Sequence, residues 1–176
     1  MKKIFISYRR DDATSVAHMI HEFIARRFRT ENVFFDLTGI KSGDNWRDRI
    51  TDALEECGVF VEIIGSQWLE PLDQKTGRRV RRLDDPHDVL RFEIETAIAK
   101  NIPIIPVLVD RAGLPGEKEV PASIRPLFKA QAHILNPEQG EYDTRIEKLL
   151  LRIEEFVAQG PHEEPQRSFD ERIETV

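Results

Sequence analysis

Five short apolar runs punctuate the chain, and residues at helical spacing occupy most of the intervals between them. Ile4-Phe5-Ile6, Val33-Phe34-Phe35, Val59-Phe60-Val61-Glu62-Ile63-Ile64 and residues 102–109 are near-continuous hydrophobic segments, the pattern of strands buried on both faces. Ala132-His133-Ile134-Leu135 is a weaker fifth. Between the first two runs, Val16, Ala17, Ile20, Phe23, Ile24 and Phe28 fall on one side of a helix over 13 to about 29. Asp44 is placed to cap a second helix carrying Trp46, Ile50, Ala53 and Leu54. A third helix follows Asp85 and Pro86, with Leu90, Ile94, Ala97 and Ile98 as its apolar stripe. A short helix is expected near 124–129. The last runs from Tyr142 to about Ala158, with Ile146, Leu149, Leu150, Ile153 and Val157 inward.

Strands alternating with helices predict an α/β fold of three layers: a flavodoxin-like, five-stranded parallel sheet with helices on both faces. Pro106 within the fourth run lacks a ladder donor, so a bulge or an unpaired side is expected there. One domain over 1–158 is expected. Gly160-Pro161 ends the last helix, and 159–176 reads as a linker or flexible tail.

The sequence has 176 residues, enough for one sizeable core, and 33% of them are charged. A net charge of −6 argues against a general nucleic-acid binder. The single cysteine, Cys57, fits a reducing compartment. The apolar run after Met1-Lys2-Lys3 is too short for a signal peptide or a membrane span, so a cytoplasmic protein is expected.

Ligands of such sheets bind beyond the carboxyl ends of the strands, where strand order reverses. That rule gathers the loops after the first and second strands and the start of the third helix. Glu93 lies on the flank of that helix's apolar stripe, with no cation three or four positions away. It is either paired from another element or held for chemistry. Glu95 faces the other way and has Arg91 one turn before it, an ordinary surface pair. Tyr8, Arg9 and Arg10 follow the first strand, where cations and a ring could hold a pyrophosphate or a base; surface salt bridges are the plainer reading. Trp46 is either core or a stacking surface for a flat ring. No G-x-G-x-x-G or G-x-x-x-x-G-K-[ST] is present, so neither a dinucleotide turn nor a phosphate loop is supported. His18 and His21 complete no metal pattern, Cys57 has no nearby histidine, and Ser66 lies outside a G-x-S-x-G context. The arginines at 78, 79, 81 and 82 read as a solvated loop before they read as an anion site.

Phe5-Ile6-Ser7-Tyr8-Arg9-Arg10 resembles the first signature of the Toll/interleukin receptor (TIR) domain family. Val33-Phe34-Phe35-Asp36 and the glycine-bearing loop through Gly43 resemble the second. The segment Asp88-Val89-Leu90-Arg91-Phe92-Glu93-Ile94 is similar to the one that carries the catalytic glutamate in NAD-cleaving members of bacterial type. This resemblance covers residues 1 to about 157 and implies an NAD+ nucleosidase. Glu93 would be its catalytic carboxylate, and Tyr8, Arg9, Arg10, Lys41 and Trp46 its substrate contacts. NAD+ would be substrate, with no cofactor and no metal. The products would be nicotinamide with ADP-ribose or a cyclic isomer, the setting bacterial anti-phage immunity, and the trigger self-association through TIR–TIR contacts. Such members often carry tryptophan four residues before the glutamate, where this chain has Val89. The competing expectation is a non-catalytic adaptor that recruits other TIR domains.

Overall fold

The computed structural model describes residues 1–35, 45–136 and 141–158. Its strands are β1 (Lys3–Tyr8), β2 (Val33–Phe35), β3 (Cys57–Ile64), β4 (Ile104–Leu108) and β5 (His133–Ile134). They form one parallel sheet in the order β2-β1-β3-β4-β5. Strand order therefore reverses at β1, which pairs with β2 on one side and β3 on the other, and the carboxyl end of β1 is the switch point. All eight residues of β3 are buried, as expected of a strand with neighbours on both edges and helices on both faces.

Alternation along the strands divides the core in two. Ile4, Ile6, Val59, Val61, Ile63 and Val107 pack under α1 (Arg10–Phe28) and α4 (Tyr142–Ala158). Phe5, Phe60, Ile64 and Leu108 pack under α2 (Trp46–Glu55), α3 (Val89–Ala99) and a 3-10 segment at Ala122–Lys129. Phe5 and Phe60 stack at 5.3 Å in the centre of this second layer. Ser7 and Glu62 continue the same face toward the carboxyl edge, so two polar groups stand where the pattern would otherwise put hydrophobes.

Several boundaries differ from the expected ones. α1 begins at Arg10, and the polar run after the first strand is divided between strand and helix. Ala13 (φ −121°, ψ 22°) kinks it where the initial turn meets the long apolar stripe. α3 begins at Val89, one turn later than Asp85-Pro86 suggested; Asp88 is the cap, its carboxylate accepting the Arg91 N–H at 3.0 Å. α2 is capped by Asn45, and Asp44 lies outside the described residues, as does the 159–176 tail. Pro106 causes no bulge: β4 stays in register with β3 throughout. The Val109 N–H donates to the Ile64 carbonyl, so by alternation the Pro106 nitrogen faces the β5 side. There β5 begins opposite Val107, and the missing donor deprives no partner.

The turn after β3 is tied to α1 by Asp12, whose Oδ1 accepts the Gln67 N–H at 2.7 Å. Gly65 makes that approach possible, since a Cβ there would sit 2.5 Å from Asp12 Oδ2. Gly65→Ala should therefore displace Asp12 and destabilise the fold by about 1–3 kcal/mol, read as a lowered Tm. An unchanged Tm would show that this carboxylate is not a fixed tie.

Candidate functional site

β1 ends at the reversal point, and its last residues open directly into a cleft of about 600 Å³, within the size range of small-ligand sites. Ser7, Tyr8, Arg9, Arg10 and Asp11 form its floor and one rim. Trp46 and Ile50 of α2, Arg82, and Asp88, Val89 and Glu93 at the start of α3 supply the rest. The structure thus brings together Glu93, Tyr8, Arg9, Arg10 and Trp46, residues that are distant in sequence. Lys41 and the glycine loop around it lie outside the described residues.

Glu93 is half-buried on the inner flank of α3, and its Oε2 accepts the Ser7 hydroxyl at 2.6 Å. Glu95 is disposed as the helical projection required: it takes the Arg91 Nε at 2.7 Å and the Ser123 hydroxyl at 2.5 Å. Beneath Ser7, Glu62 is fully buried, and its Oε1 accepts the Trp68 indole N–H at 2.6 Å. Burial raises the Glu93 carboxyl from 4.5 to about 7; the Asp88 charge adds to this, while the Ser7 bond and the Arg10 and Arg9 cations oppose it. Burial likewise raises Glu62 from 4.5 to about 8, assisted by the charge on Glu93 and opposed chiefly by the Trp68 bond. A carboxylate pushed toward neutrality beside a cleft is a recurring mark of functional sites.

Arg9 is more structural than its position in sequence implied. It is 5% exposed, its guanidinium pairs with both Asp88 oxygens at 3.2 and 3.3 Å, and its Nε donates to the Trp68 carbonyl at 3.1 Å. The pair clamps the start of α3 to the end of β1, which sets where Glu93 sits. Arg10 is exposed on the rim. Tyr8 stacks on Phe35 at 5.3 Å, and Trp46 meets Phe92 edge-on at 5.2 Å with Arg47 over its ring. Val89, 47% exposed, forms part of the cleft wall.

The weaker candidates settle elsewhere. Cys57 is buried, its thiol pushed up to about 12 by burial and donating to the Ala53 carbonyl, so it is no nucleophile. His18 and His21 pack on Phe35, and no cluster that could hold a metal occurs among the described residues. Arg79 and Arg81 fasten their loop to Glu70, and Arg81 also reaches Asp84 and the Glu119 carbonyl. Arg82 instead reaches the cleft and pairs with Asp11 at 3.0 Å. Sequence reasoning missed Ser7, Glu62 and Asp88 as site residues, and left Arg82 in a run read as a solvated loop before an anion site. Only Glu62 carried a readable signal, a lone acid inside an otherwise apolar strand.

A family model, described as the TIR domain, matches residues 4–150. Among solved structures, the TIR domains of the activated Roq1 resistosome directly recognizing the pathogen effector XopQ superpose with a TM-score of 0.59. That match has 14% identity and covers 87% of this chain and 99% of the other. A metazoan TIR-STING receptor from C. gigas in complex with 2′,3′-cGAMP gives 0.48 at 22% identity, covering 84% of this chain and 39% of that one. Among curated proteins, none matches.

Glu93 also has a thermodynamic signature. Its proton is held up to about pH 7 in the folded chain, against 4.5 when exposed, so between those values the folded state binds more protons and its stability falls as pH rises. Glu93→Gln removes that cost. The variant should match wild type in Tm near pH 5 and exceed it by a few degrees at pH 8. A Tm difference that does not change with pH would mean the carboxyl titrates in its ordinary range.

Proposed function

The chain belongs to the TIR domain family, and on that footing we propose that it is an NAD+ nucleosidase with Glu93 as its catalytic carboxylate. The reading is carried by one observation: a carboxylate at the switch point, held by the Ser7 hydroxyl at 2.6 Å, lines a cleft of about 600 Å³ with Tyr8, Arg10 and Trp46.

The chemistry asks little more. When the bond from ribose C1′ to the pyridinium nitrogen breaks, its electron pair leaves with nitrogen and nicotinamide departs neutral, so no general acid is needed. Positive charge develops on the ribosyl ring, and one nearby carboxylate stabilises it, as the second carboxylate does in glycosidases. Water then adds to C1′ and loses a proton, giving ADP-ribose; attack by a nucleophile of the adenine end gives a cyclic isomer instead. Arg10 and Arg82 on the rim suit a pyrophosphate, and Trp46 a planar ring. Loss of NAD+, or the nucleotide formed, would be the signal in an anti-phage response. A structural relative's TIR domains come from an activated resistosome. Self-association completing the site is the corresponding trigger proposed here.

The purified, concentrated protein should release nicotinamide from NAD+, and Glu93→Ala should lower kcat by roughly 10²–10³. Release that persists in a folded Glu93→Ala protein removes the site assignment, and no release from wild type leaves the adaptor reading. Because the ionised carboxylate is the working form, kcat should rise with pH through about 7. Turnover per subunit should fall on dilution. A constant value would exclude activation by self-association.

A further inference from the structure

Glu62 is not needed to complete the core, yet it is placed with care. It is fully buried near the carboxyl end of β3 and stands beside Ser7 in the β1–β3 register. Both side chains lie on the face that α3 covers, where Ser7 reaches Glu93. One oxygen of Glu62 takes the Trp68 N–H, whereas Oε2 has no hydrogen-bond partner. A buried anion with an unmatched oxygen is costly, and a neutral acid at that position has a proton to give.

Ser7 is the polar group that links the two acids. A hydroxyl has one proton and two lone pairs. Its proton goes to Glu93 Oε2 at 2.6 Å, which leaves the oxygen lone pairs able to accept. Ser7 also stands close enough to Glu62 to favour its charged form as a hydrogen-bond donor, so once Glu62 ionises the two carboxylates compete for a single proton. The charged groups that bear on the pair are Arg9 and Arg10 at the start of α1, and Asp88 at the cap of α3. Phe5, Phe60, Ile64 and Ile94 make the remainder of this layer apolar.

We propose that Glu62 is a positioning residue: as a neutral acid it donates through Oε2 to the Ser7 oxygen and keeps the Ser7 hydroxyl aimed at the Glu93 carboxylate. The relay Glu62–Ser7–Glu93 crosses from β3 through β1 to α3. It works while Glu62 is protonated and fails when Glu62 ionises, because the Ser7 proton is then drawn away from Glu93. Its catalytic consequence rests on the reading of Glu93 given above; the coupling itself does not.

The test is a carboxyl-carbon NMR titration of the glutamate-labelled protein, without ligand, from pH 5 to 10. In wild type the Glu93 resonance should move in two steps, the second reporting Glu62. Glu62→Gln, which keeps a neutral donor toward Ser7 and an acceptor for Trp68, should leave one step. Ser7→Ala should move the Glu93 midpoint upward, since a bond to its charged form is lost. A Glu93 curve identical in wild type and Glu62→Gln overturns the proposal. In the NAD+ assay, wild-type kcat should decline on the alkaline side, near pH 8 and above, and Glu62→Gln should abolish that decline. Glu62→Leu should lower kcat roughly five- to tenfold with KM little changed. An alkaline decline that persists in Glu62→Gln also counts against the relay. Coupled titration without nicotinamide release would uphold the relay and overturn the NAD+ reading instead.

Discussion

The hydrogen bond from Ser7 to Glu93 joins the two elements that define the site. Ser7 is the next-to-last residue of β1, the strand at which sheet order reverses, and Glu93 lies in the second turn of α3. A parallel sheet offers backbone ends at its carboxyl edge but no charge of its own. The Glu93 carboxylate is brought to that edge by the second turn of α3. At 2.6 Å the Ser7 hydroxyl fixes how far into the cleft the α3 carboxylate reaches. Shift α3 by one residue and Glu93 would rotate by about 100°, out of the cleft, with Glu95 or Ile94 no better placed.

That register is protected by Arg9. Its guanidinium holds both oxygens of Asp88, and Asp88 in turn caps α3 through the Arg91 N–H. One carboxylate therefore serves as helix cap and as ion-pair partner to the strand end. With side chains 5% and 9% exposed, the pair is shielded enough that losing either partner would leave an uncompensated buried charge. Arg9 is in this sense a scaffold for the acid. The rim cations Arg10 and Arg82 are left nearer to where a ligand would arrive.

Much of the fold was legible because both-faced burial leaves so plain a trace. The run from Val59 to Ile64 read as a buried strand, and the stripe Leu90, Ile94, Ala97 separated Glu93 from Glu95 as the structure has them. What misled was local helix grammar. Asp85 and Pro86 satisfy every rule for a start, yet Asp88 wins because it also pairs with Arg9, a contact 79 residues away that no window of sequence reveals. The same limit hid Ser7. A serine before a tyrosine at a strand end has no periodic or charge signal, and its role exists only once α3 is laid across β1. Arg82 was submerged in a run of arginines from which the fold alone selects the one that reaches the cleft. Pro106 was read correctly as a donor deficit but located only by the shortness of β5.

The acids around the cleft differ chiefly in what meets them. Asp11 faces Arg82, Asp88 faces Arg9, and Glu95 faces Arg91. These are matched charges; the first two hold one piece of backbone against another, and the third lies along α3 itself. Glu93 is met instead by a hydroxyl, with a second buried acid behind that hydroxyl. Such an arrangement is poor for stability, since burial of both carboxyls outweighs what Ser7 and Trp68 return. It is apt for a centre that must face a transient cation, because an acid already neutralised by an arginine has little field left to offer. Selection for stability alone would have put leucine at 62 and an arginine opposite 93. Two acids here, against that gradient, fit the electrostatic role proposed for Glu93.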